Sequence, residues 1–281
     1  MRHFIGGLSG HAAIRTPEVL AASLSAVLGV LLLSAAALGP LMTGRIRFHM
    51  SADAVVQYVG GEIVTVLGAV LLLASVPMWS AARPAVPGLV GGLCAYVVYT
   101  FVTVVAGQEF DRYEGNAEKA FLLYAAITAV AVVLVVTCLR MLTSADVVGP
   151  RQATAWLLLA LAVVIALLRL GQLAGLYRNG PSPEYETATS LFWLIKYLDL
   201  AIVIPLIVLV ALRQHAPSAG SDAAAVVVLG FVSCLFLALF CMALEMLRRH
   251  SPGASGALAI GALVLLVPSA VLWVRWLVRL G

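Results

Sequence analysis

The stretch SLFWLIKYLDLAIVIPLIVLV, residues 190–210, is long and apolar enough to cross a bilayer as a helix, yet its first half carries Lys196 and Asp199. Its character is repeated along the chain. Of 281 residues, 63% are hydrophobic and only 11% charged, and the mean hydropathy of +1.07 lies far above that of a water-soluble domain. Apolar runs, each near the roughly 20 residues that span a bilayer, fall at 19–43, 54–79, 88–107, 119–143, 152–177, 188–212, 222–247 and 255–278. They predict an all-α polytopic integral membrane protein of about eight transmembrane helices, with 1–281 as a single membrane domain. The breaks between them, such as SAARPAVPG and YRNGPSPEYET, combine Pro, Gly and small polar residues and leave no room for a soluble domain. SAAALG in the first run has the small-x-small pattern of a signal-peptide cleavage site. The run is too long for a signal h-region and lacks a compact basic n-region, so it reads as a span.

The formal net charge of +4 comes from 17 basic residues scattered in ones and twos, which argues against a nucleic-acid partner. Arg dominates over Lys alongside abundant Ala and Val, the usage of a GC-rich bacterial genome, which suggests a bacterial inner membrane. Positive charges divide almost evenly between the two faces. The acidic loop residues do not: Asp53, Glu109, Asp111, Glu114, Glu118, Glu184 and Glu186 share one side. Acidic residues orient spans only weakly, but the asymmetry favours cytoplasmic termini and a non-cytoplasmic acidic face.

Placing Glu62 over Asp199 aligns GEIVTVLGAVLLL with LDLAIVIPLIVLV and sets Gly68 opposite Pro205; upstream, ALGPLMTGRI resembles RLGQLAGLYR. The match reads as two parallel four-helix repeats, 19–143 and 152–278. Two aliphatic helices would also match by composition alone.

A charge at mid-bilayer costs roughly 2.5–3.5 kcal/mol on insertion scales, so each needs a partner or a water-filled cavity. Arg169 and Gln172 share a face of the fifth span and Lys196 and Asp199 a face of the sixth; Tyr96, Tyr99 and Thr103 form a stripe on the third, and Tyr58 and Glu62 a pair on the second. Counted from the helix ends, Glu62, Tyr99, Arg169, Lys196 and Asp199 all fall in the half nearer the acidic loops. This predicts one polar layer, Arg169 and Lys196 facing Glu62 and Asp199. The candidate binding residues are therefore Asp199, Lys196, Arg169, Glu62, Tyr99, Tyr96 and Gln172. Each has a plainer reading: Lys196 snorkels along its stem, the tyrosines pack, and Asp199 clamps Arg169 to hold two helices together. Glu245 reads as an interfacial partner of Arg248 and Arg249, and Tyr58, Trp193, Trp273 and Trp276 as interface-belt residues. Pro205 cannot donate to the Ala201 carbonyl, so the sixth span is expected to kink one turn beyond Asp199.

Motifs for chemistry are missing. The sequence has no HExxH, GxSxG, P-loop or DxxxD pair, and its five histidines lie in tails or loops, so no metal or cofactor is expected. The four cysteines lie in apolar runs without CxxC spacing and read as packing residues. RIRFHM, after the first span, reads as an interfacial basic-aromatic patch, and QEFDRYEGNAEKAF as a solvated connection.

LLLASVPMWSAARPAVPGLVGGLCAYVVYTFVTVVAG, NAEKAFLLYAAI and YLDLAIVIP together resemble a group of uncharacterised bacterial multi-spanning membrane proteins. Its pattern is a span ending in Pro and a small basic loop, a Tyr-x-x-Tyr helix, a Phe-Leu-Leu-Tyr stretch, and a Leu-Asp-Leu helix with Pro six residues after the Asp. The resemblance runs from the second to the sixth span and implies no function. Where the group usually reads Arg-Gly-Ser in the basic loop, this chain has SAARPAV.

Three function classes follow. The first is binding or transport of a small polar or zwitterionic solute in a pocket open to the non-cytoplasmic side, with Asp199 and Glu62 placed for proton coupling. The second is an intramembrane enzyme using those carboxylates as acid and base on a lipid-linked substrate. The third is an accessory or assembly subunit whose charges only pair helices, within a homo- or hetero-oligomer.

Overall fold

The structure is a computed structural model that describes residues 16–81, 83–145, 149–216, 218–251 and 254–280. Two of the five histidines, His3 and His11, lie outside them. The helices are α1 (Thr16–Leu38), α2 (Ala52–Ser75), α3 (Ala85–Ala106), α4 (Phe121–Thr143), α5 (Arg151–Asn179), the short α6 (Pro183–Thr187), α7 (Thr189–Leu198), α8 (Ile204–Arg213), α9 (Ala219–Arg248) and α10 (Gly256–Leu280). A 3₁₀ turn, Val76–Ala81, extends α2, and α7 and α8 form one span through a π turn, Asp199–Val203. Among the described residues, eight helices are long and apolar enough to cross a membrane. The protein is an all-α polytopic membrane protein, and residues 16 and 280 lie on the same side of the bundle. The first span ends at Leu38, earlier than expected, because Gly39 and Pro40 break the helix and the chain folds back over the bundle.

The bundle is built around α9, which packs against α2, α3, α4, α8 and α10. Lipid tails are as apolar as Leu, so helices in a bilayer associate through close packing and polar contacts rather than hydrophobic expulsion. Both devices are present. Gly92 of α3 faces Gly230 of α9 so closely that a Cβ added to Gly92 would lie 2.7 Å from the Gly230 Cα. Gly60 brings α2 equally near α9, since its Cβ would lie 2.5 Å from the Met242 Cα. Trp273 lies against the Gly92–Gly230 contact, and Trp276 donates through Nε1 to Thr154 Oγ1 at 2.9 Å. These two tryptophans are buried within the bundle and are not belt residues; the same holds for Tyr58, whose hydroxyl donates to the Thr103 carbonyl at 3.0 Å.

α5 is held in part by polar clamps. At its start Arg151 binds buried Asp222, in the first turn of α9, with Nε 2.9 Å from Oδ1. That carboxylate also sits where the α9 dipole favours negative charge.

On the acidic-loop side, segments 39–51 and 107–120 are hydrogen-bonded into a cap. Arg47 N donates to Asn116 Oδ1 (2.7 Å), Asn116 N to Arg47 O (2.9 Å), His49 N to Gln108 Oε1 (2.6 Å) and Glu109 N to His49 O (2.8 Å). RIRFHM is therefore no simple surface patch: Arg45 and Arg47 point out, while Ile46, Phe48, His49 and Met50 are buried. Gln108 and Glu109 likewise belong to a packed cap and not to a solvated connection; Glu109 Oε1 accepts from Ser190 N at the start of α7 (2.9 Å).

The Glu62 and Asp199 helices start alike: Glu62 is ten residues from Ala52 and Asp199 ten from Thr189, about 15 Å along each helix. α1 packs on α2 and α3 on α4, and α5 packs on α8 and α9 on α10. The two helices then differ. α2 runs on as regular α-helix past Gly68, whereas Pro205 has no N–H to close an α turn, and Ile204 N instead reaches back five residues to Asp199 O.

Candidate functional site

Asp199 sits at the start of the π turn and is 2% exposed. Its Oδ2 accepts from Arg169 Nε on α5 (2.7 Å) and its Oδ1 from the Tyr99 hydroxyl on α3 (2.9 Å). Arg169 Nη1 donates to Gln172 Oε1 (3.1 Å), Gln172 Nε2 to Glu184 Oε2 (3.1 Å), and Lys196 Nζ to Glu184 Oε1 (2.9 Å). Tyr99, Asp199, Arg169, Gln172, Glu184 and Lys196 thus form one continuous chain across α3, α5, α6 and the sixth span. Five of the seven candidates belong to it.

The pairing differs from the expected layer in three places. Lys196 does not face Glu62 or Asp199. Its stem runs toward the acidic-loop side and ends, buried, on Glu184, with Nζ 3.5 Å from the centre of the Phe192 ring. Glu184 belongs to the site although it reads as a loop acid: Ser182 caps α6, Pro183 starts it, and the exposed carboxylate reaches both Gln172 and Lys196. Glu62 meets no cation among the described residues; its Oε2 accepts from Leu41 N, just past α1, at 2.8 Å. Tyr96 donates to the Gly61 carbonyl at 3.4 Å and takes no part in the network. Glu245 is held by Arg248 and Arg249 at the end of α9, an interfacial cluster away from the site.

Beside the network lies a cavity of about 320 Å³, lined among others by Glu62, Thr65, Tyr96, Tyr99, Arg169 and Gln172. Asp53, Gln57 and Glu184 line its end toward the acidic loops. Asp199 stands behind the wall formed by its partners Tyr99 and Arg169. The Tyr-x-x-Tyr helix and the Phe-Leu-Leu-Tyr stretch both reach this space, through Tyr96, Tyr99 and Tyr124. Among the described residues no group of His, Cys, Asp and Glu is arranged to hold a metal ion.

Over the cavity the cap is pinned by His49. Its Nδ1 faces the Tyr113 carbonyl and its Nε2 a Glu118 carboxylate oxygen, both at 2.8 Å. Both partners are acceptors, so only the imidazolium donates to both. The Glu118 hydrogen bond raises the His49 pKa above its ordinary value, against the opposing effect of desolvation. Comparison with protein-family models, with curated proteins and with solved structures finds no match for this chain.

Proposed function

We propose that the protein binds, and carries across the membrane, a small polar solute admitted from the acidic-loop side into this cavity. The observation that carries the reading is the cavity itself: about 320 Å³ of space deep in an apolar bundle, walled by Glu62, Arg169, Gln172, Glu184 and Tyr99. Volumes of roughly 300–1,000 Å³ with a few convergent polar groups are those of small-molecule sites. Polar groups this deep in a bilayer are expensive to keep and mark solute pathways in many membrane proteins. The acidic-loop face is assigned to the non-cytoplasmic side and the termini to the cytoplasm, on the loop asymmetry; reporter fusions after Arg83 and Arg213 both reading cytoplasm is the expected result, and both reading outside overturns it.

The experiment is thermal unfolding of the detergent-purified protein against a panel of amines, zwitterions, sugars and small acids, followed by uptake into proteoliposomes. A solute that raises Tm in the native chain and not in a Thr65→Trp variant, whose indole fills the cavity, supports the reading. No protection by any solute refutes it. One observation favours a second reading, the accessory subunit: Asp199 is already closed by Arg169 and Tyr99, and the outer face of α5 exposes Trp156, Leu167 and Tyr177. That role predicts loss of a partner complex, with no solute effect, when those three side chains are changed.

A further inference from the structure

The charges of the cavity do not balance. Four carboxylates, Asp53, Glu62, Glu184 and Asp199, stand at or just behind its wall, against two cations, Arg169 and Lys196. Arg169 is bound to Asp199 and Lys196 to Glu184, which leaves Glu62 and Asp53 with no salt-bridge partner among the described residues. Asp53 lies in the first turn of α2, where the helix dipole and water stabilise it. Glu62 stands well past the first turn and lacks the support of the dipole. It lies ten residues into its span, and the single hydrogen bond it receives, from Leu41 N to Oε2, leaves Oε1 without a described donor.

Two features beside Oε1 favour positive charge. The carboxylate rests on the end of α1: a Cβ added to Gly39 would overlap Oε1, and Ala35 and Ala36 of the last turns line the same space. A helix C-terminus carries negative partial charge, so α1 opposes the carboxylate and attracts a cation placed beside it. The cavity is also rich in aromatic faces, from Phe48, Tyr58, Tyr96, Tyr99, Phe101 and Tyr124. Such faces attract alkylated ammonium groups, most strongly where water is excluded. Thr65 and Tyr96 already spend their hydroxyls on the Gly61 carbonyl and Tyr58 on Thr103, while the Tyr124 hydroxyl has no described acceptor.

We propose that the solute carries an ammonium group and that this group seats against Glu62, within the aromatic part of the cavity. The proposal rests on the reading of the cavity as a solute site. Arg169, whose Nη2 has no described partner, also lines the cavity and suits a carboxylate or hydroxyl on the same solute.

The test uses the full-length protein in detergent with three kinds of probe: choline, tetraethylammonium and hexylammonium as ammonium ions; 3,3-dimethylbutan-1-ol as the uncharged carbon isostere of choline; and 3,3-dimethylbutyrate as an anion. Affinity is read from the concentration dependence of Tm and from calorimetry. At least one ammonium probe is expected to bind about tenfold or more tightly than the uncharged isostere, the equivalent of one added charge interaction. Glu62→Gln keeps the shape and an acceptor for Leu41 N, and is expected to abolish that advantage while leaving the isostere unchanged. Should Glu62→Gln fold poorly, Tyr124→Leu serves instead: it is expected to weaken ammonium binding severalfold and spare the isostere. Ammonium probes that bind no better than the isostere, or a Glu62→Gln affinity within twofold of native, overturn the proposal. If the uncharged or anionic probe binds best, the ammonium assignment falls while the cavity remains a solute site; if none of the probes or panel solutes binds, both fall.

Discussion

Replacing Asp199 by alanine removes the carboxylate that accepts from Arg169 Nε at 2.7 Å and from the Tyr99 hydroxyl at 2.9 Å. Breaking a buried ion pair by deleting one partner typically costs about 3–5 kcal/mol, because the other charge is left uncompensated. The Arg169 side chain is 19% exposed, borders the cavity and keeps Gln172, so water relieves part of that loss and the expected cost is near the lower end, about 3 kcal/mol. At roughly 2–4 °C per kcal/mol for chains of this order, Tm in detergent should fall by roughly 6–12 °C. Asp199→Asn retains an acceptor for Tyr99 but loses the charge, and should cost about half as much, in line with about 1.5–3 kcal/mol for a hydrogen bond to a charged group. Combining Asp199→Leu with Arg169→Met removes both charges at once and should recover most of the stability, as replacement of buried pairs by apolar residues often does. The assay is thermal unfolding of the four proteins, followed by tryptophan fluorescence and checked for aggregation. Asp199→Ala within about 1 kcal/mol of native, the exposed-pair range, or a double variant no better than the single, would refute the clamp.

Other expectations follow from the same geometry. His49 has a raised pKa in the folded protein, so its contribution is fully present below its ordinary value near 6.5 and is lost as pH rises through the folded value; native stability should fall over that window and His49→Gln should flatten the dependence. A pH profile of Tm unchanged by the substitution would count against the clasp. Gly230→Ala adds a Cβ 2.7 Å from the Gly92 Cα and from the Trp273 ring, and overpacking of this kind should cost about 1–3 kcal/mol, read from the same melts. Arg151→Met leaves Asp222 buried without its partner and should loosen α5 at that end, seen as faster amide exchange at residues 151–158; unchanged exchange would show that packing alone holds the helix.

The spans were legible because lipid makes run length and apolarity sufficient: each of the eight falls within a few residues of its sequence estimate, apart from the early end at Leu38. The Arg169–Asp199 pair was legible too, since two opposite charges at matching depth on consecutive spans have few other ways to be satisfied. The partners of Lys196 and Glu62 were not. Glu184 reaches Lys196 only because α6 folds against α7, and Leu41 reaches Glu62 only because the chain after α1 folds inward. Both contacts depend on how a connection bends in space, which helical periodicity does not encode. The Arg151–Asp222 clamp escaped for a related reason, as both residues stand at helix starts 71 positions apart and read as ordinary surface charges. A carboxylate in the first turn of a helix facing an arginine at the start of another span is a signal that could have been used.

The central place of α9 has a consequence for how the protein is made. Synthesis delivers the spans in order, and α9 follows six of the other seven described spans. Until it arrives, Gly60 and Gly92 present close-packing surfaces with nothing to pack on, and Asp222 has not yet come to Arg151. The early spans must therefore wait in the bilayer as loosely joined pairs, α1 with α2 and α3 with α4, exposed to insertion-quality control for most of translation. A ribosome stalled before residue 219 would release a set of correctly inserted helices with no axle to assemble around, so truncation or a late frameshift should be cleared by membrane proteases, whereas a defect confined to α10 would leave the axle in place.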